Sequence, residues 1–186
     1  SDHTLYLDVP ELIPTQTLPN NHHFIGALLW SPEIPLPEWF KTLDKNKKNI
    51  YITLGSSGAA DTLTEIISAL SKFNVNILIA TAGRSNISAS NNVYIADYLP
   101  GIKVIRECDL VVCNGGSATA YQALSEGVPV LGIASNMDQY LTMSYIESSG
   151  TGLLIRSEQA KDISLLKKSI NTLLNYPEYK KNTAKM

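Results

Sequence analysis

From residue 49 onward the chain alternates between short apolar runs and amphipathic segments, and this alternation is the feature that most constrains its fold. Strands are predicted over six apolar runs: 49–54, 75–80, 93–95, 109–113, 128–133 and 152–155. Helices are predicted over the segments between and after them: 63–70, 101–107, 119–126, 138–148, 163–174 and 177–185. Apolar strands separated by helices form a parallel sheet that is covered on both faces. The predicted fold class is therefore α/β, a doubly wound, Rossmann-like parallel sheet.

The first 48 residues differ from this pattern because they hold six of the nine prolines. A segment so rich in proline cannot be mainly helical. We expect an extended arm with short strands at about 4–8 and 22–26, anchored on the body by Trp30 and Trp39. The predicted division is an arm or interdomain linker over 1–48 and a ligand-binding domain over 49–186.

Charge and composition exclude several classes of function. The net charge is −2, with three arginines and no basic run, which argues against a nucleic-acid partner. The apolar runs are strand-length and too short for a transmembrane helix. Of the two cysteines, Cys113 closes an apolar run and is expected to be a buried, reduced thiol, which favours the cytoplasm.

Histidine and cysteine usage also predicts no metal site. The three histidines all lie within the first 23 residues, where we interpret them as structural, and neighbours in a strand would face opposite ways. No histidine follows His23, so a histidine base is not available from the body of the domain.

Two loops at strand ends carry the chemistry, because ligands of such sheets bind beyond the carboxyl ends of the strands. Gly55-Ser-Ser-Gly follows the first strand, and Asn114-Gly-Gly-Ser-Ala-Thr precedes a helix. Glycines allow backbone N–H groups to approach an anion, and a helix N-terminus adds positive potential. Two such loops predict a diphosphate; the alternative is a pair of ordinary turns with Ser/Thr caps. The motifs of P-loops, dinucleotide-binding loops and hydrolase elbows are absent from the sequence.

The segment 114–139 reads NGGSATAYQALSEGVPVLGIASNMDQ and resembles the donor-binding signature of family-1, GT-B-fold glycosyltransferases, the group of UDP-glucuronosyltransferases and macrolide glycosyltransferases. Residues 51–56 resemble the first strand and phosphate loop of that family, and 93–101 its nucleobase loop. Residues 8–12 and 24–26 resemble the arm that leaves the N-terminal half. The resemblance covers most of the chain.

The resemblance implies a role for each matching position. Ser56 and Ser57, after Gly55, would meet the donor phosphates, and the backbone of Tyr98 and Leu99 would hold the base. The diphosphate would lie on the helix start. The whole implied nucleotide-sugar site is Gly55, Ser56, Ser57, Arg84, Tyr98, Leu99, Asn114, Gly115, Gly116, Ser117, Ala118, Thr119, Gln122, Asp138 and Gln139.

Asp138 and Gln139 would bind sugar hydroxyls, since a carboxylate and an amide together accept and donate hydrogen bonds. A helix N-cap is the alternative role of Asp138. Two positions depart from the family. Asn114 stands where a histidine that contacts phosphate is common, and Gln122 stands in the place of a ribose-binding glutamate. Arg84 is either a replacement cation or a solvated loop residue.

The sequence is therefore interpreted as the donor-binding domain of a hexosyltransferase. The resemblance implies a UDP- or TDP-linked sugar as substrate, no required metal or cofactor, and a small-molecule acceptor bound by a missing N-terminal domain. That domain would supply the catalytic base, so this chain alone is expected to be inactive. The alternatives are a donor subunit that acts with a separate acceptor subunit, a nucleotide-sugar epimerase, and a non-catalytic binding module.

Overall fold

The computed structural model describes residues 2–55, 60–83 and 87–186. Its centre is a six-stranded parallel sheet. The strands are β3 (Lys48–Thr53), β4 (Val75–Ala80), β5 (Val93–Ala96), β6 (Leu110–Cys113), β7 (Val130–Ala134) and β8 (Gly152–Arg156). Each of the six predicted runs forms a strand, so the predicted doubly wound α/β fold is confirmed.

Helices cover this sheet. They are α1 (Ala60–Leu70), α2 (Gly101–Ile105), α3 (Ser117–Ser125), α4 (Met137–Ser148), α5 (Ile163–Asn175) and α6 (Pro177–Thr183). Three of these begin earlier than predicted: α1 by three residues, α3 by two and α4 by one. For α3 and α4 the reason is that Gly116 and Asn136 occupy the N-cap positions. Two short 3-10 helices, Glu38–Thr42 and Ser157–Lys161, lie outside the predictions.

The strand order β5-β4-β3-β6-β7-β8 contains one reversal of direction. The chain runs outward from β3 to β5, then crosses back to place β6 on the other side of β3. Thr53 at the end of β3 is in register with Cys113 at the end of β6. In open α/β sheets the crevice at such a switch point is where ligands bind. The topology therefore brings together the loops that follow β3 and β6.

Alternate strand residues pack into two separate hydrophobic layers. Ile50 and Ile52 of β3 face α1 and α5, whereas Tyr51 faces the layer formed with α2, α3 and α4. All three side chains are buried. Burial of both faces explains why the strands are apolar throughout rather than alternating. Within the described ranges, no helix is both long and apolar enough to cross a membrane.

The proline-rich arm contains a second, two-stranded parallel sheet of β1 (Thr4–Tyr6) and β2 (His22–Phe24), both shorter than predicted. The adjacent histidines of β2 have different partners, as predicted for opposite faces. The Tyr6 hydroxyl lies 2.7 Å from His22 Nδ1, and His3 Nδ1 lies 3.1 Å from His23 Nε2.

The arm is attached to the body by Leu12, which is buried in the layer that contains α3. Trp39 also packs there, with its ring centroid 5.3 Å from that of Tyr94, as predicted. The prediction for Trp30 is wrong: its residue surface is 75% exposed. Its backbone carbonyl, not its indole ring, contacts the body.

Candidate nucleotide-sugar site

The two glycine-rich loops predicted from sequence meet at the switch point. Gly55, two residues beyond the end of β3, has a φ of +61°. A Cβ atom on it would lie 3.2 Å from the amide nitrogen of Asn114, just beyond β6. The loops therefore abut, with no spare room between them at this position. Three predicted site residues, Ser56, Ser57 and Arg84, lie outside the described residues.

The loop after β6 is held in shape by hydrogen bonds between its own residues. The Asn114 side-chain oxygen accepts a hydrogen bond from the Gly116 N–H at 3.1 Å. Gly115 has a φ of +80°, and its N–H donates to the Cys113 sulfur at 3.3 Å. Burial raises the pKa of the Cys113 thiol to about 11, so this thiol stays protonated and neutral. The predicted buried thiol is confirmed, and both cysteines are free.

Helix α3 begins at this loop without a side-chain cap. The N–H groups in the first turn of a helix have no carbonyl partner within the helix. Among the described residues, these groups at Ser117, Ala118 and Thr119 have no side-chain cap, and the first turn holds no acidic residue. Together with the positive end of the helix dipole, they form a site at which a phosphate group can be held.

Helix α4 begins at the neighbouring strand end and is built differently. Asn136 caps it, accepting a hydrogen bond from the Gln139 N–H at 3.0 Å. The Gln139 side chain is 4% exposed, and its Oε1 accepts from the backbone N–H and hydroxyl of Ser135 at 2.8 and 3.1 Å. Gln139 therefore fixes the loop after β7. The alternative role of Asp138 as the N-cap is wrong, and its side chain is exposed in the first turn.

A buried methionine supports both loops from below. Met143 of α4 is fully buried, and a Cβ atom on Gly115 would lie 2.7 Å from its Cγ. A Cβ on Gly132 of β7 would lie 2.4 Å from Cγ and Sδ of the same side chain. Sequence reasoning missed Met143, although a glycine inside an apolar strand signals close approach of a neighbour.

On the nucleobase side, Tyr98 is 66% exposed and Leu99 is buried. The Gln122 amide nitrogen donates to the carbonyl of Trp30 in the arm. Its oxygen faces Gly101, where a Cβ atom would lie only 2.7 Å away. The predicted ribose-binding position is thus in contact with the arm, a contact that the sequence did not reveal.

A polar cavity of about 260 Å³ lies between α3 and α4, next to the capless start of α3. The residues that line it are Leu7, Asp8, Ile13, Ser117, Tyr121, Asp138, Leu141, Thr142 and Tyr145. The Tyr121 hydroxyl donates to the Asp8 carboxylate. Burial raises the pKa of Tyr121, and the charges of Asp8 and Asp138 raise it further, so the phenol remains a donor.

The structure therefore brings most of the predicted residues to one edge of the sheet. The loop after β3, the start of α3, the exposed Asp138 and the loop that holds Tyr98 all follow carboxyl ends of strands. In the part of the chain that is described, no three His, Cys, Asp or Glu residues are grouped so as to hold a metal ion.

The chain is similar to mycobacterial proteins. It is 47% identical over 159 residues to the "PGL/p-HBAD biosynthesis glycosyltransferase" of Mycobacterium tuberculosis (strain ATCC 25177 / H37Ra), covering 85% of this chain and 37% of that protein. It is 42% identical over its whole length to the "PGL/p-HBAD biosynthesis rhamnosyltransferase" of Mycobacterium bovis (strain BCG / Pasteur 1173P2), of which it covers 41%. The chain thus spans about two fifths of the length of these relatives.

The fold matches one half of a solved structure titled "Spinosyn Rhamnosyltransferase SpnG complexed with thymidine diphosphate". The TM-score is 0.82 and the sequence identity 23%, covering 97% of this chain and 50% of that one. At the level of sequence, residues 64–186 match the family described as "Erythromycin biosynthesis protein CIII-like, C-terminal domain". With two thirds of its length matched and the Rossmann-like fold in place, the chain belongs to the family of Erythromycin biosynthesis protein CIII-like C-terminal domains.

Proposed function

We propose that this chain is the donor-binding half of a glycosyltransferase, which transfers a hexosyl group from a nucleotide diphosphate sugar to a small-molecule acceptor. The observation that carries the proposal is the start of α3 at the switch point. There, a glycine-rich loop, an uncapped helix N-terminus and the neighbouring loop after β3 converge. This arrangement suits a diphosphate, and the family membership supports its assignment to a sugar donor.

In this reaction a hydroxyl oxygen of the acceptor attacks the anomeric carbon, and the bond from that carbon to the diphosphate oxygen breaks. The leaving diphosphate gains negative charge as the bond breaks. Backbone N–H groups of Ser117, Ala118 and Thr119 would stabilise that charge, which is the contribution of this half to catalysis. We place the base that takes the acceptor proton in the acceptor-binding half, since the domain 49–186 contains no histidine.

We propose a TDP-linked or UDP-linked 6-deoxyhexose as the donor, with no metal or other cofactor required. One relative is named a rhamnosyltransferase, and rhamnose is a 6-deoxy sugar. The similar rhamnosyltransferase structure in complex with thymidine diphosphate favours TDP over UDP as the nucleotide. The other implied site residues keep their proposed roles, with the backbone of Tyr98 and Leu99 at the base and Asp138 at the sugar.

The two-stranded sheet of the arm supports a second, acceptor-binding half. Parallel sheets are ordinarily covered on both faces, and two strands alone are marginal in water. Leu5 of β1, and Leu7 and Ile25, which directly follow the two strands, are about half exposed or more. We propose that residues 1–48 link the domain 49–186 to that half and that β1 and β2 extend its sheet. Free, buried thiols fit our placement of the enzyme in the cytoplasm.

Titration calorimetry of the chain with TDP and with UDP tests the donor site. A complete site for a ligand of about 25 heavy atoms would give roughly −7.5 kcal/mol, which corresponds to a low micromolar Kd. With one wall of the cleft missing, we expect a Kd between about 10 µM and 1 mM. The absence of binding of either nucleotide at millimolar concentration would remove the donor site from this chain.

An activity assay separates the enzyme from its alternatives. We expect no sugar transfer by this chain alone and transfer once a matching acceptor-binding half is supplied. Transfer by the 186 residues alone would contradict the two-half proposal. Nucleotide binding without transfer in the presence of the second half would favour a non-catalytic binding module.

A further inference from the structure

We propose that Asp8 of the arm, held in place by Tyr121, forms with Asp138 the hydroxyl-binding wall of the pocket for the donor sugar. The proposal rests on the proposed function, since it assigns the sugar subsite of the same donor. Its new element is that a residue of the proline-rich arm, outside the domain 49–186, selects the sugar.

The position of the cavity supports this assignment. Ser117 and Tyr121 lie one turn apart on α3, and Asp138, Leu141 and Tyr145 follow one another along α4. All of them line the same 260 Å³ cavity, which the arm closes with Leu7 and Asp8. Through Ser117 and Asp138 the cavity reaches the first turns of both helices, next to the place proposed for the diphosphate. Pockets for drug-sized ligands have volumes of about 300–1,000 Å³, so the smaller volume of this cavity suits a single sugar ring.

The chemistry of the lining fits sugar hydroxyls and not a second phosphate. Asp8 and Asp138 contribute two carboxylates, and both charges act on Tyr121. Across the described ranges, neither carboxylate takes part in an ion pair, and the one hydrogen bond to Asp8 side-chain oxygens comes from Tyr121. That bond occupies Oδ1, which leaves Oδ2 as an acceptor. Uncompensated carboxylates repel phosphate but accept hydrogen bonds from hydroxyl groups.

Part of the remaining wall is apolar. Leu7, Ile13 and Leu141 line the same cavity, and Leu7 and Leu141 are about half exposed. An apolar surface next to hydroxyl acceptors matches a hexose that carries a methyl group at C6 instead of a hydroxymethyl group. We therefore expect a 6-deoxyhexose to bind more tightly than the sugar that retains the C6 hydroxyl.

Tyr121 acts in this proposal as a positioning residue. Its hydroxyl is committed to Asp8, and burial and the neighbouring carboxylates raise its pKa, so it is a donor at neutral pH. Its effect on sugar binding should therefore pass entirely through Asp8. A double-mutant cycle measures this, because residues that act through one another are not additive.

Calorimetry with TDP, TDP-rhamnose and TDP-glucose tests the proposal on the full chain and on its variants. Asp8→Asn and Asp138→Asn preserve side-chain volume, and Tyr121→Phe preserves the ring. The matched control is Glu11→Gln, an exposed carboxylate of the same arm with no hydrogen bond among the described residues. Circular dichroism and a thermal melt show that each variant is folded.

We expect Asp8→Asn to raise the Kd for TDP-rhamnose at least about tenfold, the loss that corresponds to one charge-assisted hydrogen bond. The Kd for TDP should change less than about twofold, and Glu11→Gln should alter neither. Tyr121→Phe should weaken TDP-rhamnose binding about threefold, and the double variant should be no weaker than Asp8→Asn alone. TDP-rhamnose should bind the unaltered chain more tightly than TDP-glucose.

The outcomes distinguish this proposal from the proposed function. If the unaltered chain binds TDP but Asp8→Asn leaves the ratio of the two Kd values unchanged, the sugar-pocket proposal is overturned and the donor site remains. Equal losses for TDP and TDP-rhamnose in Asp8→Asn indicate a purely structural role and overturn it as well. If the unaltered chain binds no TDP, the donor site itself fails. Additive losses in the double variant overturn the positioning role of Tyr121.

Discussion

Helices α3 and α4 begin one strand apart at the same edge of the sheet, yet their first turns are satisfied in different ways. Asn136 caps α4, and the Gln139 side chain of α4 accepts a hydrogen bond from Ser135 in the preceding loop. Helix α3 begins after Gly116 with no side-chain cap. Both helices present the positive end of a dipole, but the first turn of α4 carries a side-chain cap and that of α3 does not.

The difference shows that the residues after a strand can either cap the next helix or leave its N-terminus open to a ligand. After β7, the polar residues Ser135, Asn136 and Gln139 bond mostly to one another and to the backbone. After β6, the N–H groups of Gly115 and Gly116 are bonded to Cys113 Sγ and Asn114 Oδ1. The N–H groups without a side-chain partner among the described residues are those of the next turn, at Ser117, Ala118 and Thr119. The loop after β7 thus caps the helix that follows it, whereas the loop after β6 leaves the first turn of α3 without a side-chain cap. Three substitutions test this contrast.

The largest effect is expected for Gly115→Ala. A Cβ atom at this position would lie 2.7 Å from Met143 Cγ, and the backbone of residue 115 has a φ of +80°. Overpacking costs about 1–3 kcal/mol and the backbone strain about 1 kcal/mol more, so we expect a total loss of 2–4 kcal/mol in the free energy of unfolding. Urea denaturation measures it, and calorimetry should show that TDP binding is lost.

Gly26→Ala is the matched control, since Gly26 has a φ of +83° with no atom within 4 Å of its Cβ position. Its free energy of unfolding should fall only by the cost of the backbone strain, about 1 kcal/mol. Equal losses in the two variants would show that Met143 does not support the loop.

A smaller effect, confined to binding, is expected for Gly116→Asp. The new carboxylate would cap α3 as Asn136 caps α4, so the melting temperature should stay the same or rise slightly. It would also occupy the amides and repel the diphosphate, and we expect TDP binding to weaken by about 2 kcal/mol. Gly116→Ser adds a cap without a charge and should weaken binding less. Unchanged TDP affinity in both variants would place the diphosphate elsewhere.

The smallest effect is expected for Asn136→Ala, which removes the cap of α4. The free energy of unfolding should fall by about 1 kcal/mol, and Asn136→Asp should restore it. TDP affinity should stay within about twofold of the unaltered chain, because the cap serves α4 alone. A tenfold loss of TDP affinity in a folded Asn136→Ala variant would show that both helix starts hold the donor.

Much of the fold follows from local pattern. Continuous apolar runs such as 109–113 predicted buried parallel strands, and the i, i+3, i+4, i+7 spacing around Leu63 predicted α1. The arm was less predictable. Trp30 was expected to bury its ring, but its carbonyl is the group that contacts the body, through Gln122. A single sequence does not show whether an aromatic residue contacts its neighbours through its ring or through its backbone.

The sequence alone determined the parallel α/β class, the two glycine-rich loops and the residue types able to hold a diphosphate, because periodicity and glycine placement are local properties of the chain. The tertiary structure decided which loops meet. Strand order places β6 beside β3, so Asn114 abuts Gly55 across 59 residues of sequence. The tertiary structure also places Asp8 of the arm in one cavity with Asp138. Such long-range contacts depend on how whole elements pack, and they leave no periodic trace in the sequence.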